Sequence, residues 1–98
     1  MIKYDIEKFH ELFENKEEVV PGCALFRLDG EIGEIVKSCD SLEEAQDELK
    51  KCKASVHFTG VYYDVVEYYI IKNEYDEDGK DVTFSPENMG GCMILEDW

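Results

Sequence analysis

The chain has 98 residues, 24 acidic against 10 basic, which gives a formal charge of −14 at pH 7 and a pI near 4.3. So negative a surface repels nucleic acid and anionic membranes and speeds encounter with basic partners, which excludes direct DNA or RNA binding. The length holds one domain, residues 1–98, and 44% hydrophobic with 12% aromatic residues can fill one core despite a mean hydropathy of −0.41.

No apolar run approaches the roughly 18 residues of a membrane span, and MIKYDIEKFHELF is amphipathic rather than a signal-peptide core, so a soluble, cytoplasmic protein is expected. From Asp5 to Lys16 the apolar Ile6, Phe9, Leu12 and Phe13 fall three and four apart, which predicts an α-helix with Asp5 as its N-cap. If the helix runs on, Glu7, Glu11, Glu14 and Glu18 form a carboxylate stripe down one side. Like charges at that spacing cost a helix roughly 0.2–0.5 kcal/mol a pair, so the stripe reads as a binding surface rather than a stability device. Pro21-Gly22 presets a turn. In CALFRLDGEIGEIVKSC, Asp29-Gly30 separates two strand-like runs and predicts a hairpin, with Gly33 marking a bulge.

Ser41 to Lys53 predicts the clearest helix. Ser41 and Glu44 form a capping box, acids crowd the first turn and lysines the last, and Leu42, Ala45, Leu49 and Cys52 make one narrow apolar face for a sheet. Ser55 to Asp64 is interrupted by Gly60 and fits no single element. Val65 to Glu74 predicts a strand apolar on both faces except at Glu67, hence central. Asp78-Gly79 then closes a turn to a short strand, Asp81 to Phe84, with a Ser85-Pro86 break and a last strand-like run, Cys92 to Leu95. The expected fold is α+β: an antiparallel sheet of four to five strands, with the N-terminal helix and the amphipathic helix packed on one side of it.

Few residues offer chemistry. An EF-hand register on Gly79 puts Glu74, Asp76 and Asp78 at the first three ligand positions but Val82 at position 9 and Ser85 at 12, and strand-formers flank the loop, so a turn is expected there instead of calcium binding. Cys23, Cys39, Cys52 and Cys92 lack zinc-site spacing and read as buried, reduced thiols. His10 and His57 lie apart in sequence with no nucleophile elbow or phosphate loop near them. No catalytic residue, metal or cofactor is expected, and the protein is read as a non-enzyme. Tyr62, Tyr63, Tyr68 and Tyr69 read as core with hydroxyls at the rim. A stacking platform for bases would need a basic frame, and the only arginine is Arg27.

The acids therefore carry the functional reading, in two clusters: the helix stripe Glu7, Glu11, Glu14 and Glu18, and the hairpin tip Glu74, Asp76, Glu77, Asp78 and Asp81. In length, in the SLEEAQDELKKCK helix and in the YDVVEYYIIKNEYDEDGKDV hairpin with its acidic tip, the chain resembles the small acidic proteins of phages and mobile elements, among them anti-CRISPR and anti-restriction proteins. The resemblance implies an inhibitor acting in the host cell cytoplasm on a basic nucleic-acid-binding protein, such as a CRISPR effector or other nuclease, as a nucleic-acid mimic. The competing expectation is a homodimeric or adaptor domain whose acidity serves solubility, with the Cys92 to Leu95 edge or a face of VVEYYII as its interface.

Overall fold

A computed structural model describes residues 1–27 and 33–92. Its elements in chain order are β1 (Ile2–Phe13), a 3-10 turn (Lys16–Glu18), α1 (Cys23–Arg27), β2 (Glu34–Cys39), α2 (Leu42–Leu49), β3 (Ser55–Phe58), β4 (Tyr63–Glu74) and β5 (Glu87–Cys92). The strands form one antiparallel sheet in the order β2-β1-β4-β3, curled into a half-barrel, with β5 also on β4. The expected α+β class and antiparallel sheet hold, and the molecule spans 47 × 25 × 16 Å.

β4 is the spine. One edge pairs with β1 along twelve residues, from Ile2↔Glu74 to Phe13↔Tyr63. The other edge is shared: β3 takes Tyr63 to Val66 and β5 takes Tyr68 to Lys72, so Glu67 falls at the join. The central strand predicted at Val65 to Glu74 is thus present, two residues longer at its start.

The largest correction is at the N-terminus, where the expected helix from Asp5 to Lys16 is β1. Ile6 packs on one sheet face with Ile70, Cys39 and Ala45, whereas Phe9 and Phe13 pack on the other with Val65, Cys23 and Ala24. With apolar residues on both faces, and Asp5 and Glu7 buried on the face of Phe9, the strand loses its period-2 signature, and its apolar residues then fall at helix-like spacings by accident. The full-length ladder to β4 outweighs the weak helix propensity of the segment.

Three smaller corrections follow. The first half of the expected Asp29-Gly30 hairpin is helical, because Cys23–Arg27 form α1; Asp29-Gly30 itself lies outside the described residues. The bulge sits at Val36 rather than Gly33: Ile6 pairs with Lys37 and Glu7 with Ile35, which leaves Val36 over. Gly33 is instead a point of close approach, where a Cβ would stand 2.9 Å from the Lys8 carbonyl and 3.0 Å from the Phe9 ring. After the Asp78-Gly79 turn, only a Tyr75↔Asp81 bridge forms, and the returning strand begins past Pro86 at Glu87. The expected last strand from Cys92 falls outside the described residues after its first position.

α2 starts as expected but ends at Leu49, four residues before Lys53, so that Lys50 is its C-cap and no lysine lies in its last turn. Ser41 caps it by accepting from the Glu44 N–H at 3.2 Å, and Leu42, Ala45, Leu49 and Cys52 all join the cluster of Ile6 and Ile70. Since Ile6 and Phe9 lie on opposite faces of β1, α2 and α1 cover opposite faces of the sheet, not one side as expected. Each helix covers only part of its face.

Candidate functional site

The expected helix stripe does not exist. Glu7 is 2% exposed, and Glu11 is half-buried and spends Oε1 on the Leu12 N–H at 3.0 Å. Glu14 is exposed past the end of β1, and Glu18 closes the 3-10 turn by accepting from the Asn15 N–H at 3.4 Å. A strand, a bend and a 3-10 turn cannot present four carboxylates on one face.

Glu7 belongs instead to a network inside the sheet. Asn73, 4% exposed, donates from one amide nitrogen to Asp5 at 2.8 Å and to Glu7 at 2.9 Å. Asp5, fully buried, also accepts from the Ser38 and Tyr75 hydroxyls, and Glu7 accepts from the Gly33 N–H at 3.1 Å. Burial raises the Glu7 carboxyl above its ordinary pKa, and the negative Asp5 and Asp81 push the same way against the hydrogen bonds from Asn73 and Gly33. Burial also raises the Tyr75 phenol, which stays protonated and donating.

A third buried carboxylate, Glu67, accepts from the Gly22 N–H at 2.8 Å, the Ala24 N–H at 2.9 Å and the Tyr69 hydroxyl at 2.9 Å. It therefore fixes the start of α1 against β4, and Gly22 supplies the positive φ of 88° for the turn. The sequence carried one signal of this, the lone charge of VVEYYII. Tyr69, 4% exposed, meets the Phe9 ring edge-on at 5.9 Å, so this tyrosine is core with its hydroxyl engaged inward.

The hairpin tip is where exposed acids gather. Asp76 Oδ1 accepts from the Asp78 and Lys80 N–H groups at 2.9 and 2.8 Å, and the Asp76 N–H donates to the Lys80 carbonyl at 2.9 Å. That oxygen is engaged in closing a turn, as expected of Asp78-Gly79, and Gly79 takes φ 79°. Asp81 accepts from the Thr83 N–H at 2.9 Å and from its hydroxyl, which together hold its carboxyl below the ordinary range. Glu74, Glu77, Asp78 and Asp81 are exposed. The same end of the molecule carries Asp40, paired with Lys3, and Glu44, whose charge also reaches Lys3. Lys3, Ser38, Tyr75, Asp76 and Glu77 line one open cavity of about 270 Å³ there. Five predicted residues are thus brought together, and four are dispersed.

At the other end of β4 the turn that enters it from β3 is apolar and exposed: Phe58 at 51%, Val61 at 67% and Tyr62 at 40%. Thr59 fixes it, its hydroxyl accepting from the Tyr62 N–H at 3.0 Å. Cys23 and Cys39 are buried and Cys52 is half-buried, and burial raises the pKa of each thiol. No helix among the described residues is long and apolar enough to cross a membrane. Compared with protein-family models, curated proteins and solved structures, the chain finds no match.

Proposed function

We propose that this protein is a non-enzymatic acidic inhibitor of the anti-CRISPR or anti-restriction type, which occupies the basic nucleic-acid-binding surface of a CRISPR effector or another nuclease as a nucleic-acid mimic. The observation that carries the reading is the acidic end built by Glu74, Asp76, Glu77, Asp78 and Asp81 with Asp40 and Glu44, against Lys3, which is paired with Asp40, and the exposed Lys80 of the turn. Its turn is fixed by Asp76 before any partner arrives, so little ordering entropy opposes binding. Contacts between such carboxylates and a basic groove steer encounter and weaken as salt rises.

The test uses the protein as bait in lysate of its source organism at about 50 mM and about 300 mM salt, beside a bait in which Asp76→Asn, Glu77→Gln, Asp78→Asn and Asp81→Asn are combined. Asn keeps the acceptor oxygen that closes the turn, so this bait loses charge and retains shape. Capture of one nucleic-acid-binding protein that is lost at high salt, lost with the neutral bait and displaced by nucleic acid supports the proposal. Capture indifferent to salt and to the neutral bait rejects it.

One observation favours the adaptor reading, the exposed apolar turn of Phe58, Val61 and Tyr62, since aromatic side chains are enriched in protein interfaces. Under that reading capture depends on those three residues and not on the tip. Of the two interfaces expected for it, the Cys92 to Leu95 edge lies outside the described residues after its first position, and in VVEYYII Val65, Glu67, Tyr69, Ile70 and Ile71 are buried while Val66 and Tyr68 are half-buried.

A further inference from the structure

β3 closes one end of the sheet, and among the described residues no strand pairs with its outer edge. Free edges recruit further strands unless a bulge, a charge or a proline blunts them. The other two outer edges are blunted. β2 carries the Val36 bulge between Glu34 and Lys37, and β5 begins with Glu87 and leaves Met89 over between Asn88↔Ile71 and Gly90↔Ile70. β3 reads Ser55-Val56-His57-Phe58, with no carboxylate, lysine or proline, and its ladder to β4 runs unbroken from Ser55↔Val66 to Phe58↔Tyr63.

Charge points to the same edge. Two chains of charge −14 repel each other over most of their surface, but β3 lies in the longest run without an acid, residues 49–63, LKKCKASVHFTGVYY. The one carboxylate in register with β3 is Asp64, opposite His57, and it is engaged by His10 from β1. That run also carries the exposed Phe58, Val61 and Tyr62. An unblunted edge, apolar cover and relief from like charge thus coincide.

We propose that the protein forms a two-fold dimer in which β3 pairs antiparallel with β3 of a second copy, centred on His57. Directly opposite residues of an antiparallel pair share a face, so the two-fold axis has to set one residue against its own copy. Centring on His57 sets Phe58 against Val56 of the second copy, twice, an aromatic against a β-branched side chain on the face that α1 covers in part. The exposed turn then lies beside Ala54 of the second copy, still inside the acid-free run. β4 of one copy runs opposite to β4 of the other, so the two acidic tips point away from each other. The dimer therefore does not depend on what the tips bind. A four-residue ladder with two exposed aromatic side chains per copy is a small interface, and the association falls in the micromolar range.

Sedimentation equilibrium from about 1 to about 200 µM, at about 50 and about 300 mM salt under reducing conditions, measures the association. Beside the wild type it takes His57→Lys, which suits Asp64 within the chain but sets two cations across the axis, Val61→Asp in the turn, and Ile35→Asp on the β2 edge. Circular dichroism checks each fold. In a separate arm His57→Cys is treated with oxidised glutathione, because opposite Cα atoms at about 4.5–5.5 Å are within reach of a disulfide. A dimer that tightens as salt screens the repulsion, is weakened about tenfold or more by His57→Lys and by Val61→Asp, is kept by Ile35→Asp, and is cross-linked by His57→Cys but not in the wild type supports the pairing. Its salt dependence is opposite in sign to capture by a basic partner. A monomer throughout, a dimer indifferent to His57→Lys or lost with Ile35→Asp alone, or a His57→Cys chain that does not cross-link would overturn it.

Discussion

Glu67 and the Asp5–Glu7 pair are both carboxylates removed from water, and they are held in opposite ways. Glu67 stands alone and collects three donors, two of them backbone N–H groups at the turn into α1. Asp5 and Glu7 sit close enough for the charge of one to raise the pKa of the other, share the amide of Asn73, and take their remaining donors from Ser38, Tyr75 and Gly33. The first arrangement couples a helix to the sheet and has nothing to spare. The second is a crowded site in which one negative charge is a liability. Neither belongs to the surface field, so at the tip and in the interior the same residue type does different work: exposed carboxylates supply charge, buried ones supply acceptors.

Removing Glu67 should have the largest effect. Glu67→Ala removes, at a fully buried position, the acceptor that serves the Gly22 and Ala24 N–H groups and the Tyr69 hydroxyl, which costs about 3–5 kcal/mol. Urea unfolding reads the loss, and hydrogen exchange at Gly22 and Ala24 shows whether α1 detaches first. A change below about 1 kcal/mol would mean that the clamp does not hold the helix. Gly91→Ala should come next. Gly91 pairs with Tyr69, and a Cβ there would stand 2.2 Å from the Tyr69 ring, so the ring, and with it one donor to Glu67, must move. Overpacking of this kind costs about 1–3 kcal/mol, read by the same unfolding experiment. Its effect should shrink when Tyr69→Phe has already removed the hydroxyl, since the two changes then share a partner.

What was legible in the sequence was local. α2 declared itself through Ser41 and its four apolar positions, and the tip through Asp78-Gly79, because caps and turns are decided within a few residues. β1 was misread because its apolar residues serve both faces, Ile6 under α2 and Phe9 and Phe13 under α1, and Asp5 and Glu7 are buried on the face of Phe9, so alternation is erased by tertiary structure. α1 was missed because five residues carry too little periodicity, and what anchors them is Glu67, more than forty positions away. The tip acids could be grouped by sequence proximity, whereas the stripe rested on the helix and fell with it. The contact of His10 with Asp64 was beyond reach altogether, since only the pairing of β1 with β4 makes them neighbours.

The smallest effect tests the crowded site, and its sign depends on pH. The Glu7 carboxyl is raised above its ordinary 4.5 in the folded protein, so near and above that pH the folded state binds more protons at Glu7 than the unfolded state. The stability Glu7 contributes in this way is fully present below its unfolded pKa and is lost as pH rises through the raised value. Glu7→Gln keeps the side-chain shape and one acceptor but cannot titrate. At about pH 4 it removes a protonated carboxyl that already fits and should be destabilising by about 1 kcal/mol or less. At pH 7.5 it removes a buried charge beside Asp5, and the same change should be neutral or stabilising, so the two unfolding curves cross. Self-repulsion of the remaining carboxylates also lowers stability as pH rises, but it acts nearly alike on both proteins and drops out of the difference. Urea midpoints at half-unit steps from pH 4 to 8 measure that difference. Parallel profiles would show that Glu7 does not sense Asp5 and burial as described, and the pair would then stand on the same footing as Glu67.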